Sequence, residues 1–515
     1  METPSELISR LERLGVRLWV DNGRLRVRTT CKDLSAEDIA SLRELKPGVI
    51  AALLRLECDE TEAGQASGKS INLVPLTYRQ ESLWELIKID KTGASRLVRR
   101  TLNLTGQVDM SIVSRCLNTI MQRHEALRTT IVERDGRPLQ NIVPSPDSPL
   151  SVVDLSSISR EVSHITLQDA LRRLFTTPLN PTTEQLFLAR LFVLSPSECV
   201  LAVAIHHLVT DAISMAVFWN EFWHLYSYFA SNAEPELPKV EMQCGDYAIW
   251  QRSDHFPWNE GYWLAKVESA QCIQFPSKFP VRNSGTAVGT GKMILLSPAL
   301  SQSLQELARR EGAILGMVIL SIYAAFIISQ CHQIEFVLPF QVSGRLYPQH
   351  VNMMGYFACP LLLRIRASGT ESFAQLLHLV TREFLDAQRN ADCCKLLSIA
   401  PRLFQGGLFQ WSSYVEHSTG DSPETFSQKE GISFPVVNEF PVAYEDGDFV
   451  ELVEQEIVLS LYETPRAIEG YVIYRTDLFT PETIDGFLDN LEALCQYVTQ
   501  RPRDSLSSLF SRRIS

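Results

Sequence analysis

Leu201-Ala-Val-Ala-Ile-His206-His207-Leu-Val-Thr-Asp211-Ala212 carries an apolar run straight into two imidazoles and a carboxylate. The run reads as a strand, and neighbouring strand residues point to opposite faces, so His206 and His207 cannot both enter one cleft. One of them is the working residue, with a near-neutral pKa suited to moving a proton beside a reacting carbonyl. The same divergence argues against a metal site, whose ligands must converge. Taken alone, the pattern fits two satisfied core histidines at a strand end equally well, and its surroundings have to decide.

Working outward, strand-like runs such as Glu198–Ile205 and Gln333–Pro339 alternate with long helical patterns, which predicts mixed α/β (α+β) lobes. The longest apolar stretch, Ala313–Ser329, approaches a membrane span in length. It is interrupted by Ser321 and continues the helical pattern of Leu304-Gln-Glu-Leu-Ala-Arg-Arg310, so it is expected to be a buried core helix and not a membrane anchor. At 515 residues the chain exceeds one ordinary core, and 45% apolar with 21% charged residues describes a soluble globular protein. A net charge of -12 excludes general binding to nucleic acid. Eleven cysteines show no C-x-x-C, and Cys393-Cys394 has no ligand partner at finger-like spacing. Reduced thiols and a start without the basic-then-apolar order of a signal peptide lead to the expectation of a cytoplasmic location.

At the front, Leu7, Ile8, Leu11 and Leu14 repeat at helical spacing and stop at Gly15. Val16–Arg28 alternates in period two around Asn22-Gly23, a type I′ hairpin signal that places Arg24, Arg26 and Arg28 on one face. Ser35-Ala-Glu-Asp38 reads as a capped helix start, and Lys46-Pro47 begins a last helix ending near Leu56. Three like charges on one strand are either a solvated face or a landing site for something acidic. The run Gly15-Val-Arg-Leu-Trp19 through Gly23-Arg-Leu-Arg-Val-Arg28 resembles the TubC-type N-terminal docking domains of nonribosomal peptide synthetase subunits, here residues 1–57. That resemblance implies that the hairpin receives an acidic C-terminal peptide from an upstream acyl or peptidyl carrier protein, by strand addition and charge pairing. Residues 58–72, with hardly an apolar side chain, read as a flexible linker.

A second resemblance covers residues 73–505. Pro75-Leu-Thr-Tyr-Arg-Gln80-Glu-Ser-Leu-Trp84, Arg123-His-Glu-Ala-Leu-Arg128, His206–Ala212, Gly245-Asp-Tyr247-Ala-Ile-Trp250, Val342-Ser-Gly-Arg345 and Met354-Gly-Tyr-Phe357 stand in the order of the motifs of nonribosomal peptide synthetase condensation domains. It implies two chloramphenicol-acetyltransferase-like lobes in a V-shaped pseudo-dimer, residues 73–245 and 246–515, with the active site at their junction. It also implies a monomer that binds no cofactor and no metal of its own, its substrates being presented on the phosphopantetheine of carrier proteins. As residues, the Trp84 and Tyr247–Trp250 helices read as packing. One guanidinium of Arg123–Arg128, with Arg128 as the candidate, is a surface charge or a buried partner for Asp211.

The resemblance also implies a tunnel through that junction, open at both faces, which His207 faces as general base or hydrogen-bonding positioner, while His206 and Asp211 serve the architecture. A buried carboxylate needs a cationic partner, and Arg345 in the opposite lobe is the candidate. Position 212 departs from the family pattern, with Ala in place of Gly, and the added methyl is expected to narrow the site and restrict φ. The family's later His-Gln-Asp-x-Pro-Phe motif is not recognisable where Arg389-Asn-Ala-Asp392-Cys-Cys stands. With no adenylation domain and no Gly-Gly-x-Ser carrier motif, the reading is a stand-alone enzyme of a nonribosomal peptide or hybrid polyketide assembly line. It would move an acyl or peptidyl group from a carrier thioester to an amine or hydroxyl supplied in trans, on an acceptor carrier protein or as a free small molecule. The alternatives are an epimerisation-type domain and a catalytically weak domain that recruits or gates carrier proteins.

Overall fold

The computed structural model describes residues 3–507 apart from 15, 22–23, 30–33, 47, 51, 54–71, 90–95, 146–148, 232–235, 254–255, 257, 277–286, 346, 391–395, 413–435, 440–450 and 454. At the front, the Pro4–Arg13 helix is followed by an antiparallel hairpin of Val16–Asp21 and Arg24–Thr29 and by the Ala36–Glu44 helix. Ser35 caps that helix in a capping box with Asp38, as the sequence predicts. Asp38 also takes a 2.6 Å bond from Arg10, which ties the second helix to the first. Leu7, Leu11, Val16, Leu18, Leu42 and Val49 make one small core. In the hairpin register Arg17, Trp19 and Asp21 stand opposite Arg28, Arg26 and Arg24. By register, the strand positions of the arginine row alternate with those of the buried Val16 and Leu18. Arg26 is exposed, whereas the side chains of Arg24 and Arg28 lie outside those described, as do the expected linker residues 58–71 and the stretch Cys393-Cys394.

The strand that decides the fold, Glu198–His206, is buried at every position after Glu198. It lies at the centre of a five-stranded sheet, in the order Val436–Glu439, Leu97–Thr105, Glu198–His206, Phe187–Ser195, Leu150–Asp154. Leu201, Val203 and Ile205 face one core, together with Phe218 and Phe222 of the Ala212–Ala230 helix and Val113 and Leu117 of the Met110–Arg123 helix. Val200, Ala202 and Ala204 face a second core built on Leu167, Leu171 and Phe175 of the Arg160–Thr176 helix. A sheet covered on both faces explains why the run is apolar without alternation, each large buried aliphatic contributing about 1.5–3 kcal/mol. The alternation continues past the strand end and separates His207 from His206.

Asn72–Pro75, Arg137–Ile142 and Thr129–Arg134 form a three-stranded sheet, and a seven-stranded mixed sheet runs in the order Cys359–Arg366, Glu335–Val342, Gly407–Ser412, Ile457–Glu463, Ile468–Arg475, Ala287–Leu295, Glu451–Val453. Its largest core forms against the helices Pro298–Glu311, Leu315–Cys331, Phe373–Gln388 and Pro481–Gln500. The apolar stretch after Leu304 is not one continuing helix. Gly312 adopts φ +64°, caps the first helix and turns the chain by 103° into the second, which is buried along most of its length. No single described helix is long and apolar enough to cross a membrane. Val436–Glu439 pairs antiparallel with Leu97–Thr105, so a strand from beyond residue 246 completes the first sheet.

Candidate active site

The sheet ladder runs one residue past the strand: His206 N–H donates to Leu186 O at 2.8 Å and His207 N–H to Arg96 O at 2.9 Å. A turn follows, closed by Val209 N–H on His206 O at 3.0 Å. His206 is 2% exposed, and its Nδ1 accepts the Leu208 N–H at 3.1 Å. Burial, helped by the neighbouring His207 and Arg96, pushes its pKa down to about 3, so the ring stays neutral and serves the turn. His207 is half-buried and points to the other side. Its Nδ1 lies 3.0 Å from Thr210 O, and because a carbonyl only accepts, Nδ1 carries the proton. Nε2 keeps its lone pair, with no hydrogen-bond partner among the described residues. Burial lowers the His207 pKa below 6.5, the Asp211 charge pulls the other way, and the Arg79 charge adds to the lowering. The imidazole is therefore a neutral acceptor at pH 7.

Gln80, on the first turn of the Tyr78–Ile89 helix, pins the same turn from beneath. Its Nε2 donates to Leu208 O at 2.9 Å and to Gln140 Oε1 at 3.2 Å, and its Oε1 accepts Thr77 N–H at 2.8 Å.

Asp211 is the N-cap of the Ala212–Ala230 helix and receives Ser214 N–H at 2.8 Å on Oδ1. Arg345 meets it with two nitrogens, NH1 to Oδ2 at 2.9 Å and NH2 to Oδ1 at 3.0 Å, in a bidentate pair whose side chains are 4% and 2% exposed. Phe357 and Ala358 add backbone N–H bonds to Oδ2 at 3.1 and 3.2 Å. The Ser214 hydroxyl lies 2.9 Å from Oδ1 and also takes bonds from Arg345 NH2 and Gly355 N–H. Burial on its own would raise the Asp211 pKa, but the Arg345 charge and these donors outweigh it and hold it below 3.8. The turn before Arg345 requires glycine: Gly344 has φ +69°, and a Cβ there would sit 1.9 Å from Phe357 O. Tyr247 and Trp250 of the Cys244–Trp250 helix cradle the loop edge-on against His350, with Phe357 5.2 Å from Tyr247 and Tyr347 5.5 Å from Trp250. They are packing residues, as read from sequence.

His207, Asp211 and Arg345 are thus brought together, with His206 behind them, and Arg128 is not. Arg128 ends the 3-10 turn Glu125–Arg128, donates to Val143 O at 2.9 Å and lies 3.7 Å from Glu125. Arg123 and His124 both bond the buried Glu221. Neither guanidinium reaches Asp211, whose oxygens are already taken by Arg345 and backbone donors. Ala212 also differs from expectation: it is the first helical residue, has no positive φ, and its methyl group is exposed, so no backbone restriction arises. Ser214, Gln80 and Tyr356, whose ring lies 5.0 Å from that of His207, belong to the site although the sequence motifs give them no role. An Asp-x-x-Ser step before an apolar helix is an N-cap signal that points to Ser214. Among the described residues no group of three His, Cys, Asp or Glu side chains could hold a metal ion.

Comparison with known proteins places the chain. The family described as Condensation domain matches residues 70–512, and the TubC N-terminal docking domain matches residues 5–54. One of the linear gramicidin synthase proteins of Brevibacillus parabrevis is 29% identical over 448 residues, 85% of this chain and 8% of that protein. This chain therefore spans under a tenth of that relative's length. Among solved structures, the complex of the X-domain and OxyB from teicoplanin biosynthesis aligns with TM-score 0.69 at 21% identity, over 85% of this chain and 95% of that one. The first condensation domain of the calcium-dependent antibiotic synthetase, in complex with a substrate analogue, aligns with TM-score 0.65 at 18% identity, over 84% and 99%. Both likenesses show the fold.

Proposed function

The chain belongs to the condensation-domain family of nonribosomal peptide synthesis, an acyltransferase family, and from that premise we propose that it transfers an acyl or peptidyl group from a carrier-protein thioester to an amine or hydroxyl supplied in trans. The observation that carries the reading is His207 itself, a neutral imidazole with Nδ1–H fixed on Thr210 O and Nε2 without a hydrogen-bond partner among the described residues. In the proposed step the acceptor nitrogen or oxygen attacks the thioester carbon while Nε2 takes its proton. The C–S bond then breaks, the carrier thiolate leaves and recovers that proton, and an amide or ester is released. Such assistance is worth about 10²–10⁴-fold, and holding two tethered substrates together supplies further rate. Asp211 and Arg345 hold the loop and the lobe junction and do not move a proton. Phosphopantetheine enters with the substrates, and the arginine-bearing hairpin receives the acidic tail of the donor subunit.

A second reading is a domain that recruits or gates partners without catalysis. It is favoured by the solved X-domain, a neighbour whose structure is a complex with OxyB. One experiment separates the readings: load a donor carrier protein with an acyl group, add candidate amines and alcohols, and follow the acyl group by intact-protein mass spectrometry. Transfer that needs His207 supports condensation, binding without transfer supports gating, and loss of a substrate α-hydrogen to solvent supports epimerisation.

A further inference from the structure

Arg79 stands beside the reacting imidazole and takes no part in the proton transfer. It is the second residue of the Tyr78–Ile89 helix and is half-buried. Its guanidinium carbon lies 4.7 Å from the centroid of the Tyr356 ring, and its Nε–H donates to Ala358 O at 2.9 Å. Tyr356 also packs on His207, ring to ring at 5.0 Å and tilted by 57°. A line of contact thus runs from a helix of the first lobe, across a loop of the second, and back to the imidazole. Tyr356 itself is 8% exposed, and its chain neighbours are held: Gly355 N–H on Ser214 Oγ, Phe357 N–H on Asp211. Ala358 is held at both of its backbone polar groups, its N–H by Asp211 and its carbonyl by Arg79.

We propose that Arg79 is a positioning residue for the transfer: by clamping the Tyr356 ring and the Ala358 carbonyl it fixes the plane of the His207 imidazole and hence the direction of Nε2. The proposal rests on the reading of His207 as the working residue. The hydrogen bond to Thr210 restrains the imidazole torsion from one edge only, and this terminal torsion is intrinsically broad. The tilted Tyr356 ring packs against the imidazole and narrows that torsion further, and Arg79 holds the ring with a planar guanidinium that a lysine cannot match. Three groups besides burial act on the charge of His207: Asp211 and Thr210 O from its own loop, and Arg79, the cation that disfavours a second proton.

The test measures kcat, KM and the pH profile of transfer from an acyl-loaded carrier in the full chain, with urea midpoints recorded beside them. R79A and Y356L are each expected to lower kcat by about 10- to 100-fold with little change in KM, the scale of a misplaced reacting group. Because both act through one contact, the double variant should fall to the level of the worse single. Y356F, which keeps the ring, should recover most of what Y356L loses. R79A should also move the acid limb of kcat to higher pH, since a cation near His207 is gone, and R79K should restore that limb while leaving kcat low. An unchanged kcat in R79A, a loss confined to KM, or R79A and Y356L losses that multiply would each overturn the proposal. If H207A transfers as fast as the parent chain, the functional reading fails; if H207A is impaired and R79A is not, only the Arg79 proposal fails.

Discussion

Replacing Asp211 by Asn keeps its shape and removes its charge, which makes it the sharpest probe of the clamp at the lobe junction. In the native site the two carboxylate oxygens receive five N–H donors, from Ser214, Phe357, Ala358 and twice from Arg345. An amide offers only one oxygen, so one set of donors must face an NH₂ group, and the Arg345 guanidinium, 4% exposed, is left without a counter-charge. Breaking a buried pair from one side costs about 3–5 kcal/mol. D211N should therefore lower the unfolding free energy in urea by about that amount at unchanged m-value. The converse variant, R345M, should be equally unstable at pH 7 but with a different pH dependence. In the parent chain the Asp211 pKa is depressed, so its contribution is present above 3.8 and is lost only as pH falls through the lower folded value. In R345M the buried carboxylate loses its partner and its pKa rises, so the native state holds a proton that the unfolded chain releases. The gap between R345M and the parent should accordingly narrow as pH falls from 7 towards 4. A D211N urea midpoint equal to the parent's, or a gap that widens on acidification, would refute the argument.

Other outcomes follow from the same geometry. Reversing Arg24, Arg26 and Arg28 to Glu should weaken transfer from an intact donor subunit by about 10- to 100-fold at low salt, less at high salt, and spare a small thioester donor. Equal loss with both donors would remove the docking role. Glu456 has its pKa raised to about 7 by burial, with the Arg475 charge opposing. Its native state binds a proton that the unfolded chain gives up near 4.5, so this contribution is present at low pH and is lost as pH rises through 7. E456Q should thus melt higher than the parent at pH 8 and about equal to it near pH 5; a melting temperature shifted equally at both would contradict the assignment.

What is legible in the sequence is local or carried by the motif order. Residues 201–205 announce a strand because nothing polar interrupts them, and strand alternation alone separates His206 from His207. The Asp211–Arg345 pair spans 134 positions and is reached through the resemblance; no periodicity contains it. Arg128 misleads because a guanidinium near a motif looks like a partner, whereas a 3-10 turn and Glu125 satisfy it locally. Apolar periodicity runs unbroken across Gly312, so the 103° turn depends on one left-handed φ that the pattern does not report. The contacts of Gln80 with Leu208 and of Arg79 with Ala358 join segments 128 and 279 residues apart, and only folding brings them together.

In the proposed transfer the neutral His207 imidazole takes the acceptor's proton through Nε2. The direct measurement is the single-turnover rate of acyl transfer from a loaded carrier against pH, for the parent chain and for His207→Ala. The parent should lose rate only below pH 6.5, the side to which burial moves this histidine, while His207→Ala should fall by about 10²–10⁴-fold and lose that acid limb. A variant that keeps the parent's rate and the parent's pH dependence would contradict the account.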